Sequence, residues 1–224
     1  MTRIFANRKR IFTILTRFSA TLVFCFGCNG LAQAGAYEDF LSAVRLDNPE
    51  QTASLIQRGM DPNTLDSSGM PVLHLAARDG LLRVVQVLAA GGADLNRRNT
   101  AGESAVMLAA LQGHLPVVEF LVSKEAQINH PGWTPLIYAA TSGQNKIIEL
   151  LIENHAYIDS TSPNGSTALM MAVRGGHAST VKLLVESDAD VSVKNEAGES
   201  ALSWAERGAG HTEIIKMLRV KLMP

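Results

Sequence analysis

The sequence predicts an all-α repeat solenoid, and three observations carry that expectation. A glycine opens the same phrase five times, at Gly69, Gly102, Gly132, Gly165 and Gly198, as in G-M-P-V-L-H-L-A-A, G-E-S-A-V-M-L-A-A and G-W-T-P-L-I-Y-A-A. The intervals are 33, 30, 33 and 33 residues, and a fixed period of this size marks a stack of small structural units. The apolar runs between turn signals are near or below the ~12–15 residues at which an isolated helix becomes marginal, so each unit needs its neighbours to cover it. A solenoid of this kind works through an extended surface and not through an enclosed pocket.

Residues 1–34 read as a secretory leader ahead of the fold. Arg3, Arg8, Lys9, Arg10 and Arg17 make a basic start without acid, Phe18–Cys28 is an apolar run of 11 residues, and Ala32-Gln33-Ala34 supplies a small-x-small cleavage pattern. The run is shorter than the roughly 20 apolar residues of a spanning helix. Cleavage is expected after Ala34, with Ala36 the near alternative. Lipidation of Cys28 is a rival reading, for which Cys25-Phe26-Gly27 is a poor signal. Both cysteines, Cys25 and Cys28, lie in the leader, so the mature chain is expected to have no disulfide, thiolate nucleophile or cysteine metal site. The leader holds five of the 20 basic residues and none of the 21 acids, which leaves 15 against 21, or −6. An acidic body argues against nucleic acid, which needs a basic stripe, and favours a neutral or basic partner.

Residues 35–224 read as one repeat domain. Its N-terminal capping unit, 36–65, has Phe40, Leu41, Ala43 and Val44 in a first helix. Asn48-Pro49 opens the second, with proline at the tolerated first position, and Leu55 and Ile56 continue it. Five further units start near 66, 99, 130, 162 and 195. The unit at 66 shows the logic. Asp66-Ser67-Ser68-Gly69 is turn chemistry, Val72 to Ala77 make a short helix, and Gly80 suits the left-handed position past its end. Leu82, Val84, Val85 and Leu88 then form a second apolar helix, which Gly91-Gly92 ends. The last helix, Thr212 to Met223, bears Glu213, Lys216, Arg219 and Lys221, as a C-terminal cap with one wet face requires.

Gly132-Trp133-Thr134-Pro135-Leu136, Leu73-His74-Leu75-Ala76-Ala77, Gly113-His114, Gly176-His177 and Gly92-Ala93-Asp94-Leu95-Asn96 resemble the ankyrin repeat, over Ala36 to the C-terminus. The resemblance implies helix-turn-helix units joined by hairpin-like fingers in a slightly curved solenoid. It also implies binding positions beside the motif glycines and at the ends of the first helices. Here those are Met70, Glu103, Trp133, Ser166 and Glu199 on fingers, with Arg78, Gln112, Thr141 and Arg174 on helices. Trp133 leads this set, because tryptophan is enriched at interface hot spots.

The chain departs from the family pattern in four places. Pro71-Val72 stands where the family has Thr-Pro, so His74 is expected to be satisfied through backbone alone. The short interval has His130-Pro131 in place of a hairpin arm, so a stubby finger carrying Trp133 is expected. Glu125, His155 and Asp188 stand where second helices usually end in glycine, so strained left-handed residues are expected there. Glu206 to Gly210 carries one extra residue, which calls for a longer inter-helix turn.

No grouping of residues asks for catalysis. His74, His114, His177 and His211 occupy repeat positions that hydrogen bonding explains. His130 and His155 have no H-x-x-x-H or cysteine companion, so no metal is expected. There is no G-x-S-x-G elbow, and the paired glycines are helix ends and not phosphate loops. The expectation is therefore no enzyme and no cofactor. The stripe Leu75, Leu108, Tyr138, Met171 and Trp204 reads as packing between units, with a polar edge of Tyr138 and Trp204 left for the surface. The chain is expected to be an exported, monomeric scaffold of the periplasm that binds an unknown protein through its concave face and finger tips, with no membrane span once mature. An envelope-tethered scaffold and a secreted effector are the alternatives.

Overall fold

The computed structural model describes residues 25–208 and 211–223, with side chains from Gly35 onward. The basic start and most of the apolar run of the expected leader lie outside the described residues. The described residues form twelve α-helices in pairs. They are α1 (Cys25–Arg45) with α2 (Pro49–Gln57), α3 (Val72–Arg78) with α4 (Leu82–Ala90), and α5 (Ala105–Gln112) with α6 (Leu115–Ser123). Then follow α7 (Pro135–Thr141) with α8 (Asn145–Glu153), α9 (Ala168–Arg174) with α10 (Ala178–Glu186), and α11 (Ala201–Arg207) with α12 (Thr212–Leu222). The sequence places the first helix around Phe40, whereas α1 starts at Cys25 and runs through Ala34. Leu31, Ala32, Gln33 and Ala34 are all good helix formers, and no proline interrupts them. None of the described helices is long and apolar enough to cross a membrane.

First helices stack on first helices and second helices on second helices, in sequence order. Small residues set the spacing of the first row. Ala76, Ala109, Ala139, Ala172 and Ala205 recur at one repeat position and are all fully buried, so the neighbouring backbones approach closely there. The second row is filled by Leu88, Leu121, Leu151, Leu184 and Leu218, also fully buried. Truncating any one of these leucines to alanine costs about 2–5 kcal/mol, as large-to-small core changes do.

The fingers are built by side chains that imitate a turn. The side-chain Oδ1 of Asp66, Asn99 and Asn195 each accepts two backbone N–H groups, two and four residues further on. The motif glycine sits inside this loop at φ of 73–86°, where a Cβ would strain the chain. The turn closes with Asp66 N–H on Met70 O, Asn99 N–H on Glu103 O, Ser162 N–H on Ser166 O and Asn195 N–H on Glu199 O. Among the described residues no such bond closes the finger at Gly132, which is short as the sequence predicts.

The stack nevertheless stays in register across this short finger. Asn63, Asn96, Asn129 and Asp159 each accept a backbone N–H from the next unit, at Asp94, Gln127, Tyr157 and Asp190, over 2.8–2.9 Å. The missing residues fall between Asn129 and Gly132, after the ladder atom, so the rung survives. Glu125, His155 and Asp188 take φ of 61°, 65° and 66°, as expected from the sequence. Asp47, at φ 50° after α1, is a fourth case that the sequence did not single out. Four residues, 208–211, separate α11 from α12, one more than separate α3 from α4.

Candidate interaction surface

Glu103 is held through both its backbone and its side chain. Its backbone N–H donates to Asn99 Oδ1 at 2.9 Å, and its carbonyl accepts from Nε2 of the buried His74 at 3.0 Å. Burial holds the His74 ring below its ordinary pKa, so it stays neutral, and its Nδ1 has no partner. The Glu103 carboxylate is fixed too. Oε2 accepts from Asn99 Nδ2 at 2.8 Å, and Oε1 accepts from the Tyr138 hydroxyl at 2.9 Å. Burial, together with this carboxylate, pushes the Tyr138 phenol up from its ordinary value, so it remains a donor.

From Tyr138 the arrangement extends across the short finger. The Trp133 ring meets Tyr138 edge to face, with centroids 5.7 Å apart and planes at 72°. Trp133 is half-buried and rests partly on the core. On the other side, Asn99 Nδ2 lies 3.6 Å from Met70 Sδ. Met70, Glu103 and Trp133, taken from three successive fingers, are thus joined through Asn99 and Tyr138. Sequence reasoning named the first three, kept Tyr138 as a minor possibility, read His74 as a hydrogen-bonded repeat histidine, and missed Asn99. The recurring Asx-turn position was the signal that pointed to Asn99.

Glu199 occupies the same repeat position near the C-terminal end. Its Oε2 accepts from Trp204 Nε1 at 2.6 Å, and its Oε1 pairs with the Arg207 guanidinium. Arg207 first, then the Trp204 indole, hold the carboxyl down at about 2. Glu199, Trp204 and Arg207 line a shallow concavity of about 460 Å³ with Asn164, Arg174 and His211.

The other expected positions divide. Ser166 was expected on the surface but is 1% exposed, which removes its side chain from the binding set. The reason is the next finger: Asn195 packs over Gly165 so closely that a Cβ there would sit 3.0 Å from Asn195 Cα, and Glu196 N–H bonds to Asn164 O. Arg78 forms a two-point bond to its neighbour Asp79 at 2.8 and 3.2 Å. Thr141 turns its hydroxyl onto Ile137 O at 2.8 Å. Gln112 and Arg174 are exposed at the ends of α5 and α9. Two of the repeat histidines tie units together, with His114 Nε2 donating to Arg78 O and His177 Nε2 to Thr141 O at 2.9 and 3.0 Å. His211 lies against Gly208 in the longer turn, with its Nδ1 unpartnered. Among the described residues no three potential metal ligands gather.

The family model for ankyrin repeats (3 copies) matches this chain over residues 40–132, 73–162 and 136–222. The chain belongs to the ankyrin-repeat family. Ankyrin repeats generally mediate protein–protein interactions, and the family is typically non-catalytic.

Proposed function

We propose that this ankyrin chain is an exported, non-catalytic scaffold of the periplasm that holds a protein partner against its concave face and finger tips. The supporting observation is the linked patch of Met70, Glu103 and Trp133, which spans three fingers through Asn99 and Tyr138. Hydrogen bonds and an aromatic contact fix these side chains before any partner arrives, which lowers the ordering cost of binding. The leader pattern of residues 1–34 supports export. The test is a photo-crosslinking residue placed at position 133, with a control at the exposed Gln86 of α4. Position 133 captures a discrete protein in the native compartment, and Gln86 does not. Trp133→Ala with Met70→Ala lowers the melting temperature, because Trp133 rests partly on the core, but keeps the helical circular dichroism and weakens pull-down of the same protein. Equal capture at both positions would remove the finger surface from consideration. Intact mass of the exported protein tests cleavage after Ala34.

A further inference from the structure

Resting on that reading, we infer that Glu103 is the receptor for a lysine or arginine side chain of the partner. Glu103 and Glu199 each follow a motif glycine, and each accepts a hydrogen bond from an aromatic ring of the same stripe. Glu199 also has a cation, Arg207. Among the described residues no lysine or arginine forms an ion pair with Glu103. The alignment gives the reason. Arg207 stands three residues after Trp204, and the residue three after Tyr138 is Thr141, short and uncharged, with its hydroxyl committed to Ile137 O.

The donors that do reach Glu103, Asn99 and Tyr138, are neutral, and they leave part of the carboxylate's roughly four acceptor sites unused. A guanidinium or ammonium takes up that capacity and brings the missing charge. The adjoining Tyr138 and Trp133 rings favour a cation and its aliphatic stem. The acid excess of residues 35–224, 15 basic against 21 acidic, steers a basic segment toward the chain.

The test uses the purified full chain and a defined probe, acetyl-Gly-Arg-Gly-amide, against its citrulline counterpart, which has the same shape without the charge. The arginine peptide shifts the Trp133 indole N–H resonance, the citrulline peptide does not, and added salt weakens the effect. Glu103→Gln, which keeps an acceptor for Tyr138, weakens binding about tenfold or more. Thr141→Arg, which leaves Glu103 in place and supplies the cation internally, does the same. Glu149→Gln, on the exposed side of α8, leaves it unchanged. An equal response to citrulline, no response at Trp133, or full binding by Glu103→Gln overturns the inference. If Glu103→Gln keeps crosslinking at position 133, the finger surface stands and the cation receptor falls. If the unaltered chain shows no capture at 133, the finger reading itself falls.

Discussion

Glu103 and Glu199 share a repeat position but not a neighbourhood. At the C-terminal finger the aromatic donor, Trp204, comes from the same unit, and Arg207 one helical turn later closes the charge. At Glu103 the donor, Tyr138, comes from the next unit, because Leu108 fills the stripe position of its own. The next finger is also the short one, and it brings Trp133 against Tyr138. One region is thus electrostatically complete, and the other is organised but left open. A repeat specifies where a side chain stands. Its partners are set by the units on either side.

The largest expected effect asks whether these regions are one cooperative body. Ile148 is fully buried between them, and Ile148→Ala costs about 2–5 kcal/mol. Urea unfolding followed at Trp133 and Trp204 in single-tryptophan variants shows one common, lowered midpoint. Separate midpoints would make the two fingers independent.

Tyr138→Phe sharpens the contrast more locally. It removes a hydrogen bond to a carboxylate and lowers stability by about 1.5 kcal/mol, seen as a lower urea midpoint at unchanged slope. The loss should be absent in a chain already carrying Glu103→Ala.

Backbone strain gives a smaller, opposite effect. Glu125→Gly, in the unit of Glu103, raises stability by about 0.5–1 kcal/mol as the left-handed strain is relieved. Asp188→Gly gains less, because it also removes the 3.2 Å pair with Lys221 that ties the last helix down. Equal gains would show that this exposed pair contributes nothing.

The smallest effect is a pH dependence confined to the closed finger. The Glu199 carboxyl sits at about 2 when folded, below its ordinary 4.5. Its stabilising contribution is therefore fully present above about pH 4.5 and is lost as pH falls through about 2. Melting temperatures between pH 5 and 2 fall more steeply in the unaltered chain than in Glu199→Gln.

The fold was legible because its rules are short-range and repeated. Gly69 and its counterparts, the short interval and the left-handed Glu125, His155 and Asp188 all follow from a turn or a helix end read within a few residues. The site was legible only in part. Met70, Glu103 and Trp133 were singled out one by one, but their linkage runs through Asn99 and through Tyr138, 35 residues after Glu103. Ser166 was misplaced for the same reason, since the finger covering it starts near Asn195, in the following unit.

By itself, the sequence determined the period, the order of the units, the family and the place where the rhythm breaks. Each is a local pattern of turn formers and apolar residues, and local sterics suffice to enforce it. Only the tertiary structure decided that Glu103 is held by five hydrogen bonds without a cation, while Glu199 has Arg207 beside it. That decision depends on the close stacking of neighbouring units. A charge's environment is made by groups distant along the chain, and a one-unit pattern does not contain them.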